Sequence, residues 1–195
     1  MSQGEIMAKN EILIIESRSP TDIFDDRFEA GTLKQILKLQ QVHAKHIEVV
    51  DRKHLEKAIK FAEKEHIRYV HLSAHGNPDG FELTDGTSIT WKEFDELAWP
   101  FLKNTCLCLS SCSVGQGADN IFNIHKSFCN AIVAPTRDIG WGEALVAFSA
   151  FYHRALSTES STSQDVKVLN HIVGAGTFRL IESPHRATTY AIGPT

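Results

Sequence analysis

Arg68-Tyr69-Val70-His71-Leu72-Ser73-Ala74-His75-Gly76 reads together with Asn104-Thr105-Cys106-Leu107-Cys108-Leu109-Ser110-Ser111-Cys112. Each is a short apolar run of β-favouring residues that ends in a reactive side chain, beside a glycine or a glycine-rich turn. Read as neighbouring parallel strands of one sheet, the two runs deliver an imidazole and a thiol to the same sheet edge. Their separation of 37 residues (112 − 75) leaves room for a hairpin and a helix, enough to bring the second strand back beside the first.

Upstream, Glu11 to Ile15 is a compact apolar, β-branched run and reads as a buried first strand. Ser17 to Ala30, with Pro20, several acids and scattered aromatics, reads as a surface connection. Leu33, Ile36 and Leu37 fall at helical spacing, and His46 to Val50 gives a second strand. Asp51 is placed to cap a helix that buries Leu55, Ala58, Ile59 and Ala62 on one face. Strand–helix–strand repetition of this kind predicts right-handed parallel crossovers.

After His75-Gly76 comes a hairpin, Phe81 to Trp91. A loop from Thr84 to Ser88 sets Leu83 against Ile89 and Phe81 against Trp91, keeping the apolar residues on one face. Lys92 to Trp99 predicts a short helix closed by Pro100. Beyond Cys112, Gly115 and Gly117 lead towards a helix with Ile121, Ile124 and Phe128 on one side. Ala131 to Ala134 is a fifth strand, with Pro135 to Gly140 as its exit loop. Leu145, Phe148, Tyr152 and Leu156 share a face of a long helix starting near Trp141. Thr162 with Asp165 resembles a capping box ahead of Val166, Leu169 and Val173, and Thr177 to Ile181 is a last strand. With no internal repeat and no low-complexity linker, residues 1–195 are expected to form a single α/β domain.

Composition narrows the function classes. At 195 residues, 42% hydrophobic and 23% charged, the chain has the make-up of an ordinary globular protein with a core of its own. A net charge of −4 and pI near 6.2 argue against nucleic acid or an anionic membrane as partner. No apolar run is long enough to cross a bilayer, and the N-terminus lacks the pattern of a secretory signal. The expected location is cytoplasmic, with the four cysteines as reduced thiols. His71 and His75 would lie roughly 13 Å apart along a strand, too far to share a metal. Cys106 and Cys108 would stand about 6.6 Å apart with parallel side chains, a poor disulfide geometry. Both read as buried strand residues, Cys129 as a core thiol, and the other histidines as surface residues. No metal or cofactor is expected.

Sites in open parallel sheets collect outside the carboxyl ends of the strands, where His75 and Cys112 fall. There a thiolate is favoured by exposed backbone N–H groups and a nearby imidazolium. Gly76 and the Ser113–Gly117 turn let backbone amides approach a substrate carbonyl. Either residue alone reads as structural; the matched placement of both favours a nucleophile and its base.

An apolar strand ending in His-Gly, followed by one ending in Ser-Cys, resembles the caspase-like (clan CD) cysteine peptidases, and within them the bacterial CHAT branch. The Phe-x-Leu-x-Asp-Gly hairpin, the Val-Ala-Pro strand after the cysteine and the aromatic-rich helix Ala147 to Leu156 extend the likeness from about Val70 to Val173. The resemblance implies a three-layer caspase-like sandwich with a mostly parallel central sheet, flanked by helices and carrying a hairpin insertion after the third strand. It implies Cys112 as nucleophile and His75 as general base, acting as a dyad. Backbone amides of Gly76 and Cys112 would line the oxyanion hole. The expected substrate is a protein or peptide, cleaved through an acyl-enzyme. Caspases proper place Gln-Ala before the nucleophile; here Ser110-Ser111 stand there, so an aspartate preference is not expected. Ser110 and Asp138 are the candidate substrate-binding residues. Asp138 suits a basic substrate side chain, whereas its neighbour Arg137 would suit an acid. The competing reading is a non-catalytic caspase-like or flavodoxin-like binding module, whose turn after Cys112 could cradle a phosphate. A further reading is a latent peptidase switched on by a regulatory partner chain.

Overall fold

Residues 11–99, 101–158 and 160–184 are described by the computed structural model. Six strands lie side by side in the order β2-β1-β3-β6-β7-β8. They are β1 (Ile12–Ser17), β2 (Ala44–Glu48), β3 (Tyr69–Asn77), β6 (Cys106–Ser110), β7 (Ala131–Pro135) and β8 (Phe178–Glu182). The first five run parallel, and β8 pairs antiparallel with β7. A short hairpin, β4 (Gly80–Glu82) and β5 (Ser88–Thr90), joins the far end of β3, where Gly76 pairs with Phe81.

Both faces of the sheet are covered, which is why the inner strands read as continuous apolar runs and not as alternation. On one face Leu13, Ile15, Val70, Leu72, Leu107 and Leu109 pack with Leu55 and Ile59 of α3 (Arg52–Lys64) and Phe94 of α4 (Trp91–Ala98). On the other, Ile12, Ile14, Tyr69, Cys106, Cys108 and Val133 meet three helices. These are α2 (Ala30–Leu39), α6 (Trp141–Ser157) and α7 (Thr162–Val173), contributing Leu33, Phe148 and Leu169 among others. Asp51 caps α3 through the His54 N–H, as its position predicts.

Several local expectations change. The segment from Ser17 to Ala30 is not merely a surface connection: it holds a one-turn helix, α1 (Pro20–Phe24), and buries Asp22 and Glu29. The hairpin register is shifted by two residues, so that Phe81 pairs with Ile89 and Glu82 with Ser88. The cause is a three-residue loop, Thr84 to Gly86. Gly86 donates to the Leu83 carbonyl and takes φ +84°, a left-handed position that glycine adopts without strain. A two-residue shift preserves the face of every side chain, so Phe81, Leu83 and Ile89 are still buried together. The helix expected over Ile121 to Phe128 is only one turn, α5 (Asn120–Ile124). Ile121 and Phe128 are buried, but Ile124 faces solvent. The capping box of α7 is formed by Ser161 with Gln164, one residue before the predicted pair. His46 and His125 are not free surface histidines, since they pair with the buried carboxylates of Glu16 and Asp95. Pro100 lies outside the described residues. None of the described helices is long and apolar enough to cross a membrane.

Candidate active site

After β1 the chain turns to one side of the sheet to make β2, then crosses back to make β3 on the other side of β1. That reversal opens a crevice beyond the carboxyl ends of β1, β3 and β6. The segment after β1 carries Asp22, the end of β3 carries His75, and the residue pair after β6 includes Cys112.

The register between β3 and β6 aligns the candidate pair. Every partner from Tyr69↔Cys106 to Ser73↔Ser110 is offset by 37 residues, the same offset that separates His75 from Cys112. Alternation along the strands puts both side chains on the α6 face. They line one small pocket of about 50 Å³, together with Ala74, Ser110, Ser111, Ile139, Trp141 and Ala144. No hydrogen bond joins them. The Cys112 thiol donates instead to the Ile139 carbonyl at 3.7 Å. Trp141 stands edge-on to the imidazole at 5.9 Å between ring centres.

The turn after Cys112 is sharp because Ser113 adopts φ +55°, which few non-glycine residues do. Its N–H bonds to the Arg137 carbonyl and its hydroxyl to Asp138 Oδ1 at 2.8 Å, so the turn is tied to the loop after β7. Gly76 sits where a Cβ would fall 2.6 Å from Val114 and 2.9 Å from the Ser111 Cβ, so only glycine lets the strand end approach this turn. A Cβ on Gly117 would meet the Pro78 carbonyl oxygen at 1.9 Å. A Cβ on Gly115 would meet the Pro135 carbonyl oxygen at 2.6 Å, so the glycines of the turn serve close backbone packing, against the end of β7 and against Pro78, which weakens the phosphate-cradle reading.

Sequence reasoning missed the third member of the cluster. His75 Nε2 bonds to Asp22 Oδ2 at 2.5 Å, while the Asp22 side chain is only 3% exposed. Burial pushes this carboxyl up, but bonds from the Ser19 hydroxyl and His75 outweigh it and hold it below the usual carboxylate range. With Nε2 committed to Asp22, Nδ1 is the imidazole nitrogen left for chemistry.

Of the other predicted residues, Ser110 is nearly buried and lines the pocket. Asp138 is exposed and does not; its Oδ1 accepts from Ser113, and its Oδ2 has no partner among the described residues. Arg137 is engaged by Glu143 and the Val173 carbonyl, which answers its positive charge. Cys106, Cys108 and Cys129 are buried; burial pushes the Cys108 and Cys129 thiols well up, as inert thiols behave.

No protein-family profile and no curated protein matches the sequence. Among solved structures the fold is similar to the crystal structure of the Arg specific cysteine proteinase gingipain R (RGPB). The TM-score is 0.58 at 11% identity, over 89% of this chain and 46% of that one. The fold is the caspase-like one. A second similar structure is the complex of Porphyromonas gingivalis RgpB pro- and mature domains, with TM-score 0.55 and 11% identity over 90% of this chain and 48% of that one. The chain thus spans about half the length of the gingipain chains it matches. The caspase-like sandwich implied by the His-Gly and Ser-Cys strand ends is the architecture observed.

Proposed function

We propose that this chain is a cysteine endopeptidase of the caspase-like type, within the CHAT branch, with Cys112 as nucleophile and His75 as general base. The observation that supports it most is the convergence of Asp22, His75 and Cys112 at the ends of three adjacent strands, with the thiol and imidazole lining one pocket. In this reading Nδ1 of His75 takes the thiol proton, and the thiolate attacks a peptide carbonyl carbon. The backbone N–H groups of Gly76 and Cys112 hold the oxyanion. Nδ1–H then protonates the leaving amine as the C–N bond breaks, giving a thioester. Water, deprotonated by the same nitrogen, hydrolyses the thioester and restores the thiol. Asp22 keeps the imidazole oriented throughout.

For the residue before the scissile bond we propose a basic side chain. Asp138 is exposed, its Oδ2 is free to receive such a group, and it adjoins Ile139, which lines the pocket, while Arg137 is already neutralised and unsuited to holding an acid. The similar gingipain is described as Arg specific, which agrees with this choice. A regulatory partner chain is part of the proposal; a pro-domain complex is described for that neighbour. One observation favours the alternative of a non-catalytic binding module: the thiol bonds to Ile139 and not to His75. A fluorogenic peptide panel with wild type, Cys112→Ala and His75→Ala decides between the two. Cleavage lost in both variants supports the peptidase, and cleavage surviving in Cys112→Ala refutes it. Equal turnover of peptides with a basic or an acidic residue before the bond removes the role of Asp138.

A further inference from the structure

The Asp22–His75 contact is not self-supporting. Asp22 belongs to a helix of only five residues, Pro20–Phe24, too short to hold its shape without a cap. The cap is Ser19, in a capping box with Asp22 itself and with Pro20 at the first helical position. Here the box has an unusual division of labour. Ser19 Oγ accepts from the Asp22 N–H at 3.2 Å and donates to Asp22 Oδ2 at 2.5 Å. The Ser19 N–H reaches the same oxygen at 3.3 Å. It is also Oδ2, not Oδ1, that meets His75 Nε2. The nearest described ionic neighbour of Oδ1 is the Arg27 guanidinium, 3.8 Å away. One carboxylate oxygen thus receives the cap and the imidazole together.

From this we infer that Ser19 is a positioning residue for the proposed active site: its hydroxyl fixes the rotation of the Asp22 carboxylate, so that Oδ2 stays on His75 Nε2 and Nδ1 is left free for the thiol that shares the pocket. The inference rests on the peptidase reading for its catalytic consequence but not for its geometry. The far end of the segment is anchored separately, because Glu16 Oε1 accepts the Glu29 and Ala30 N–H groups at 2.9 Å each. Losing the Ser19 hydroxyl therefore removes one of the two short bonds that orient the carboxylate without releasing the whole connection.

The test compares wild type, Ser19→Gly and Ser19→Thr as full chains. Glycine retains good capping conformation without the hydroxyl, and threonine keeps the hydroxyl. On a peptide that wild type cleaves, Ser19→Gly is expected to lower kcat by about tenfold or more with little change in KM, because a misaimed base costs rate and not binding. The part of its acid limb set by ionisation of Asp22 should move to higher pH, since a bond that favours the ionised carboxylate is gone. Threonine should restore both. Proton NMR supplies a readout that needs no substrate: the downfield imidazole N–H resonance, assigned by its loss in His75→Ala, should vanish or shift in Ser19→Gly and persist in Ser19→Thr. An unchanged resonance in Ser19→Gly overturns the inference, whether or not wild type cleaves any peptide. Wild type that cleaves nothing while the resonance behaves as expected overturns the peptidase reading alone.

Discussion

Strands β3 and β6 carry the same residue pair twice. His71 and Cys108 are register partners in the middle of the sheet, and His75 and Cys112 repeat that offset one turn of alternation beyond its end. Both pairs face α6, yet their surroundings differ completely. His71 is fully buried, bonded to the Tyr152 hydroxyl at 3.1 Å, 3.4 Å from Glu29, and edge-on to Phe148. Cys108 is fully buried too, with its thiol pushed well up. His75 is half exposed, and Cys112 opens on a pocket. The chemistry of a histidine and a cysteine is thus decided by four residues of strand: inside the sheet they are packing and polar glue, and at its end they are available.

The largest contrast is expected in activity. Cys112→Ala should reduce peptide cleavage by at least about 10³-fold, and His75→Ala by about 10²–10⁴-fold. Cys108→Ala should leave turnover within about twofold while costing about 1 kcal/mol of stability. Comparable losses in Cys108→Ala and Cys112→Ala would break the distinction between the two pairs. Alkylation sharpens it without a substrate. Iodoacetamide should label Cys112 in the native protein at least about 10²-fold faster than Cys106, Cys108 or Cys129, because those three react only after the sheet opens. Peptide mapping of the labelled sites reads the result.

Next in size comes stability, where the order of the two pairs reverses. His71→Ala strands the Glu29 carboxylate in the core, and breaking a buried pair in this way costs about 3–5 kcal/mol. His75→Ala leaves Asp22 its bonds to Ser19, so its cost should stay below about 2 kcal/mol. Urea midpoints with unchanged slopes would measure both. Equal destabilisation would mean that the strand-end pair is as structural as the interior one.

This reversal also marks what the sequence could disclose. The placement of the outward pair was legible because the β3 and β6 runs are apolar and closed by Gly76 and the turn at Ser113. These features state burial and strand ends directly. The hairpin was legible in its buried face but not in its register, because a shift of two residues leaves Phe81, Leu83 and Ile89 where burial wants them. Asp22 was not legible. It sits among Asp25, Asp26 and Arg27 in a stretch that looks solvated, and its partner His75 is 53 residues away. A local signal did exist in Ser19-Pro20-Thr21-Asp22, a cap with proline at the first helical position directly after a buried strand. Such a signal specifies a helix start; only the crossing of β3 beside β1 turns its acid towards an imidazole.

The smallest effect concerns pH. Asp22 is held below its ordinary range in the folded state, chiefly against burial, by the Ser19 hydroxyl and His75. A depressed folded value means that the ionised carboxylate stabilises the fold fully above the unfolded value near about 3.9, and that this contribution is lost as pH falls through the lower folded value. Asp22→Asn removes the titrating group while keeping nearly the same shape. The stability difference between wild type and Asp22→Asn should therefore be constant from neutral pH down to about 4 and shrink below it. Denaturant titrations at a series of pH values read this difference directly. A difference that stays constant well below pH 4, or that grows there, would mean that Asp22 holds His75 as a neutral hydrogen-bonding group. The strand-end pair would then lack the fixed charge that sets it apart from the interior one.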